Sequence, residues 1–184
     1  SLEQIKNFKK KIEKTKLELT LFELLTCIYI LASNEQKKVD FNLIESGLLF
    51  RKDSTNLWET PKAQIVTNIN FQHQEWINPK TIYEICKQKV GFLSNFTNIY
   101  VGKQKPKVLI KIKKLLKKNN SKIQYPNTWK LIKINNCYFY QDNQIKIRLI
   151  TKYIHSKGLL ENLCLAIKIA LDLKIDKKII IKTI

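Results

Sequence analysis

The chain contains no methionine, four glycines, four prolines, and arginine at only two places, Arg51 and Arg148. Each shortage narrows what the protein can do. Gly47, Gly91, Gly102 and Gly158 stand singly, so no Walker loop, GxGxxG or GxSxG pattern is present to cradle a phosphate or expose a nucleophile. The scarcity of arginine argues against base-specific reading of DNA, because the planar guanidinium makes the commonest bidentate contact to guanine. Histidine occurs only as His73 and His155, with no Ser, Cys or Asp signature around either, which speaks against a nucleophilic triad. His155, near an expected helix end, reads as a surface or cap residue. Cys27, Cys86, Cys137 and Cys164 are isolated among apolar neighbours. With no CxxC pair they read as buried free thiols of a reducing compartment, not as a zinc site. Glu45, Asp53, Glu59 and Glu75 are scattered without the spacing of a two-metal centre. No metal and no cofactor is expected, and the chain reads as non-enzymatic. The most apolar stretch, 17–32, carries Glu18 and Glu23 and is too short to cross a bilayer, so no membrane contact is expected. No signal peptide is visible, and a start at Ser-Leu-Glu reads as a piece of a larger protein.

What the sequence has in abundance is lysine. Its 184 residues carry 34 Lys plus Arg against 15 Asp plus Glu, a formal charge of +19, while 44% are hydrophobic. The apolar share is enough for a packed core. The charge favours polyanionic partners such as RNA or DNA through a long-range field. A competing source is codon bias: chains rich in Lys, Asn and Ile are typical of AT-rich genomes, which inflate surface lysine without selection for binding.

The apolar spacing of Leu2, Ile5, Phe8 and Ile12 predicts one stripe of a helix. Residues 17–33 are apolar nearly all round, which predicts a helix lying in the core. Residues 34–78 are the least readable: Gly47 and Asp53-Ser54-Thr55-Asn56 read as turns, and residues 64–71 alternate like a strand through Ile65, Thr67, Ile69 and Phe71. Asn78 as N-cap and Pro79 as first residue predict a helix to Val90 that stops at Gly91. Pro106 opens a helix to about Asn119, with Val108, Leu109, Ile112, Leu115 and Leu116 on one face and lysines on the other. Asn135-Asn136 joins the strands 129–134 and 137–141 in a tight hairpin, pairing Ile134 with Cys137 and Ile132 with Phe139 on an apolar side. Trp129, Leu131, Lys133, Tyr138 and Tyr140 take the other side. A helix capped by Asp142 or Asn143 is expected to run to about His155. A buried helix follows over 159–173, and Asp176 caps a last short one.

Helix, helix, basic helix and two-stranded wing is the order of a winged helix. The expected fold is mainly α with small β hairpins, as one winged helix or two in tandem. Residues 1–141 would form the first domain and 142–184 a second, small helical unit. The helix from Pro106 would take the recognition position. Lys107, Lys111, Lys114 and Lys118 on its outer face, with Trp129, Lys133, Tyr138 and Tyr140 on the wing, are the candidate nucleic-acid or partner-binding residues.

The hairpin from Trp129 to Tyr140, then Asp142-Asn-Gln, then Lys157-Gly158 opening Leu159-Leu-Glu-Asn-Leu-Cys-Leu-Ala-Ile, is similar to the C-terminal half of the Stn subunit family of the CST telomere complex. The similarity is best over Lys107 to Leu173, and after Asp176 there is little room for a second wing. The resemblance implies a nuclear, telomere-bound, non-catalytic module. Its partners would be other telomere-complex subunits, telomerase or DNA polymerase α-primase, with single-stranded DNA as a further ligand. Two other readings stand beside it: a general basic nucleic-acid-binding or ribosomal protein, and a degenerate intron-type nuclease or maturase fragment.

Overall fold

The computed structural model describes residues 2–35, 39–150, 154 and 156–184. The chain divides into two compact units, Ser1–Trp58 and Glu59–Ile184.

In the first unit α1 (Leu2–Glu13) packs on α2 (Leu21–Glu35). Phe8 is buried on the α1 stripe, and Lys11 Nζ reaches Glu35 Oε1 of α2 at 3.2 Å. α2 starts four residues later than its apolar run because Thr20 and Glu23 form a capping box. The Thr20 hydroxyl accepts from Glu23 N at 3.3 Å, and Glu23 Oε2 accepts from Thr20 N at 2.8 Å and from that hydroxyl at 2.7 Å. Those bonds from Thr20 hold the Glu23 carboxyl below the usual carboxylate range. The helix does not lie in a core as its composition predicts. Thr26 and Ile28 are buried, whereas Leu21, Phe22, Leu25 and Tyr29 stay exposed. A single packed helix covers one stripe, not a circumference.

The second unit holds two sheets. β1 (Gln64–Val66), β2 (Asn98–Val101) and β3 (Lys122–Gln124) pair in parallel, in the order β1-β2-β3. Parallel neighbours cannot be closed by a hairpin, so each link crosses over through a helix. α3 (Ile82–Val90) joins β1 to β2, and α4 (Pro106–Leu116) joins β2 to β3. The two helices pack together and bury Ile85, Cys86 and Val90 from one, Val108, Ile112 and Leu116 from the other. α3 ends before Gly91 as predicted but is capped by Thr81, whose hydroxyl accepts from Glu84 N at 3.2 Å, not by Asn78. In β1 the buried phase is Gln64 and Val66, with Ile65 exposed, the reverse of the predicted alternation. Just after β2 the Gly102 N–H donates to Val66 O at 2.8 Å, and a Cβ there would stand 3.0 Å from Leu165 Cδ2, a tight contact that would make the leucine side chain give by a few tenths of an ångström.

β4 (Trp129–Ile134), β5 (Cys137–Asp142) and β6 (Lys146–Leu149) form an antiparallel meander. The hairpin has the predicted register, with Ile134 opposite Cys137, Ile132 opposite Phe139, and Asn135 and Asn136 at φ 45 and 60. Its buried face is the other one. Trp129 and Tyr140 are buried, with Leu131 and Tyr138 partly so, in one core with α5 (Lys157–Asp172) and α6 (Lys177–Thr183). Both faces carry apolar residues; the aromatic one offers more area to bury. Asp142 does not start a helix. Its Oδ1 accepts from Gln144 N and Ile145 N, each at 2.9 Å, turning the chain into β6. The end of the predicted helix, residues 151–153 and 155, lies outside the described residues.

The winged-helix expectation is therefore corrected. α4 is a crossover helix: β3 follows it and joins the parallel sheet before the hairpin begins, and the hairpin is two strands of a three-stranded meander. The chain has an α/β core, not a mainly α one. The position 141/142, expected as a domain boundary, falls within β5.

Candidate functional site

The most highly organised polar loop of the first unit spans Gly47–Asn56. A 3-10 turn at Phe50–Lys52 delivers Asp53 to its centre. Asp53 Oδ2 accepts from Gly47 N at 2.8 Å, and Oδ1 accepts from Thr55 N at 3.0 Å and from the Thr55 hydroxyl at 2.6 Å. The Asp53 carbonyl also accepts from Asn56 N at 3.0 Å. One carboxylate thus closes the loop on itself, which is what an Asp within a turn does best. The loop is tied to α2 by Ser54 and Thr26, whose hydroxyl oxygens lie 2.7 Å apart. Thr26 donates its one proton to Phe22 O at 2.9 Å, so Ser54 is the donor between them. The loop carries the exposed side chains of Arg51 and Lys52 beside a half-buried Asp53, Ser54, Thr55 and Asn56, and the exposed Glu45 lies two residues before it. Both Asp53 carboxylate oxygens accept from the loop itself, three bonds in all, which suits a positioning role. No group of three or more His, Cys, Asp or Glu side chains is assembled for a metal among the described residues.

The second unit has a polar cluster at its core. Asp172 Oδ2 accepts from Tyr100 OH at 3.0 Å and from Gln124 Nε2, while Oδ1 meets Lys168 Nζ at 2.7 Å. The bonds join β2, β3 and α5. Burial, then the Asp172 carboxylate, raises the Tyr100 phenol well above its ordinary range. Burial, then the 2.7 Å bond to Asp142, does the same to Tyr140. His73 precedes the 3-10 turn Gln74–Trp76 with a left-handed φ of 57, its Nδ1 4.0 Å from Glu75 Oε1. His155 lies outside the described residues.

The residues singled out from sequence separate into two groups. Lys107, Lys111 and Lys114 follow one side of α4, and Lys118 continues that side in the turn beyond it. On the meander, Trp129 and Tyr140 belong to the core, and Tyr138 is half-buried with Lys133 Nζ 5.6 Å from its ring centre. The rings are therefore packing groups and not a platform for stacked bases. From sequence 53–56 read as turns and Asp53 as one of four scattered acids, which missed it as the centre of the loop. An Asp followed by Ser, Thr and Asn was the available signal.

The fold is one already known. Over 95% of its length the chain superposes on 43% of a folylpolyglutamate synthase from Mycobacterium tuberculosis solved with ADP and AMPPCP, at a TM-score of 0.74 and 16% identity. Over 91% it superposes on 40% of a bifunctional folylpolyglutamate synthase/dihydrofolate synthase from Yersinia pestis complexed with AMPPNP and manganese, at a TM-score of 0.73 and 20% identity. The apo form of the L. casei enzyme gives a TM-score of 0.69 at 19% identity, over 89% of this chain and 40% of that one. In sequence, 90 residues, 49% of the chain, are 36% identical to the dihydrofolate synthase/folylpolyglutamate synthase of Bacillus subtilis, of which they cover 20%. No family model matches the chain. The chain thus spans about a fifth of the curated relative and about two fifths of each solved structure it matches.

These findings overturn the telomere reading. The chain superposes on synthases with a parallel and an antiparallel sheet, not on a Stn winged helix. The expectation of a non-catalytic module falls with it, since the relatives are enzymes. The expected partners (telomere-complex subunits, telomerase, DNA polymerase α-primase, single-stranded DNA) and the nuclear location have no support from relatives that are bacterial metabolic enzymes. The ribosomal or general nucleic-acid-binding alternative fits no better. The physical reason is common to all: helix–hairpin–helix order is shared by many folds, and only the parallel pairing of three short strands separates them.

Proposed function

We propose that this chain is part of an ATP-dependent ligase that joins glutamate to a folate-type acceptor. The observation that carries the reading is the coincidence of two likenesses: 36% identity over 90 residues to a dihydrofolate synthase/folylpolyglutamate synthase, and the same fold over nine tenths of the chain in synthases solved with ATP analogues, with manganese, and with folate. Joining a carboxylate to an amine in water needs the carboxylate activated, which ATP cleavage supplies when nucleotide and metal are bound. The Gly47–Asn56 loop is this chain's contribution. Asp53 fixes the loop, the exposed Arg51 and Lys52 on it carry positive charge that would suit a phosphate, and the exposed Glu45 just before it carries a carboxylate that would suit a metal ion. The glycines of these 184 residues stand singly, so the loop is not read as a phosphate-cradling one of the Walker type.

The test is incorporation of radiolabelled glutamate into dihydropteroate or folate by the protein purified from cells that express it, with and without ATP and magnesium. ATP-dependent incorporation supports the reading. Asp53→Ala, which frees Gly47 N, Thr55 N and the Thr55 hydroxyl together, lowers kcat/KM by about tenfold or more. Asp53→Asn keeps one acceptor oxygen and retains more activity. A folded protein that incorporates no glutamate overturns the ligase reading, and full activity in Asp53→Ala overturns the role given to the loop.

A further inference from the structure

We infer that the lysine row of α4 and its following turn is a docking surface for the acidic tail of the substrate, an oligo-γ-glutamyl chain. The inference rests on the ligase reading and adds to it a place for the product's growing end. From Ile85 to Gln141 the chain has no acidic residue at all, yet lysines continue throughout. Among the described residues none of the ion pairs involves Lys107, Lys111, Lys114 or Lys118. No carboxylate of the described residues forms an ion pair with them. Opposite them Val108, Ile112 and Leu116 anchor the helix, so the row is held on a packed scaffold.

The spacing fits a polymer of regularly placed charges. Positions 107, 111, 114 and 118 recur every three or four residues and share one side of a helix. At 1.5 Å rise per residue, successive lysines stand about 4.5–6 Å apart along the axis. A γ-linked glutamyl unit has five backbone bonds and carries one free α-carboxylate about every 6 Å when extended. Each added glutamate therefore brings one carboxylate to one lysine. Nucleic acid, the other polyanion, is disfavoured at this surface: Trp129 and Tyr140 are buried and offer no ring to a base, and no arginine lies between Arg51 and Arg148 to fork onto one.

The experiment is titration of the full chain with free γ-linked glutamate oligomers of one, three and five residues, followed by folate carrying five glutamates, at low and physiological salt. The pentamer is expected to bind about tenfold tighter than the monomer at low salt, ion pairs to the exposed Lys107, Lys114 and Lys118 and the half-buried Lys111 each adding a small increment, and to weaken as salt rises. Lys111→Glu/Lys114→Glu removes the length dependence without changing the thermal melt. Lys177→Glu/Lys178→Glu, the same charge change made on the exposed start of α6, leaves it intact. Length-independent binding, or equal loss in both double variants, overturns the inference. A single-stranded oligonucleotide of equal charge binding more tightly than the pentamer, and losing that affinity in Lys111→Glu/Lys114→Glu, also overturns it. Glutamate ligation that proceeds without length-dependent binding leaves the ligase reading standing and removes only this one. Length-dependent binding by a protein that ligates nothing does the reverse.

Discussion

Replacing Asp172 by alanine removes one acceptor from three donors at once. Tyr100, 2% exposed, loses the acceptor its hydroxyl uses among the described residues, and a buried hydroxyl left without a partner costs about 1–3 kcal/mol. Lys168 loses an ion pair whose side chains are 15% and 23% exposed, so solvent screening is partial and the loss is about 1 kcal/mol. Gln124 is half-buried and recovers part of its bond from water. The sum is about 3 kcal/mol. For a chain of this length each kcal/mol moves Tm by about 2–4 °C, so Asp172→Ala is expected to melt about 6–12 °C lower. Tyr100→Phe leaves Asp172 its other two donors and should cost about 1 kcal/mol. In the double variant no phenol is left orphaned, so the two losses should add to less than their sum. Thermal and urea unfolding followed by circular dichroism measure all three. A fall of less than about 2 °C in Asp172→Ala, or strict additivity in the double variant, would refute the view that this carboxylate ties β2 and β3 to α5.

Two further outcomes are expected. Burial pushes the Asp142 carboxyl up, but bonds from Tyr140, Gln144 N and Ile145 N together with Lys168 outweigh it and hold the group below its ordinary value of 3.8. Its stabilisation is therefore complete above that value and lost as pH falls from there through the lower folded value, and acid titration of Asp142→Asn should show a shallower loss of stability over that window. Peptide-mapped alkylation should label the half-buried Cys27 and Cys137 before the buried Cys86 and Cys164; burial, then the charge of Glu161, pushes the Cys164 thiol up to about 12, and equal labelling of all four would contradict the burial.

Elements whose signals are local were readable in the sequence. The Pro106 helix, the Asn135-Asn136 hairpin with its register, and the Asp176-capped helix all rest on residues within a few positions of one another, and the structure has them. The start of α2 carried an equally local signal that went unread: Thr20-x-x-Glu23 is a capping box, and it places the first turn at Leu21. Which face of a hairpin is buried is a different kind of question. Ile132, Ile134, Cys137 and Phe139 form an apolar face as Trp129, Leu131, Tyr138 and Tyr140 do, and although the second offers more area to bury, it is the packing of α5, beyond β6, that reveals the choice. The Asp53 loop was half legible. Its residues read as a turn, but the acceptor role of Asp53 toward Gly47 and the tie from Ser54 to Thr26, across 28 positions, are tertiary facts.

The parallel sheet was the decisive omission, and its chemistry explains why. Strands buried on both faces announce themselves as unbroken runs of Val, Ile and Leu. Here β1 and β3 have three residues each and β2 has four, and they include Gln64, Asn98, Lys122 and Gln124. Gln64 is buried in β1 because its amide is fully used: Nε2 donates to Thr97 Oγ1 at 2.6 Å and to Ser94 O at 3.0 Å, and Oε1 accepts from Ser94 N at 2.9 Å. A glutamine so satisfied is as much a core residue as a valine, but its partners lie about thirty positions away and no periodicity reports them. Without β1 the chain reads as helices around a hairpin, and its lysines then suggest nucleic acid. Once β1 is placed, α3 and α4 become crossovers of a parallel sheet, and the lysines of α4 lie along the outer side of a crossover helix, a position that by itself points to no nucleic acid.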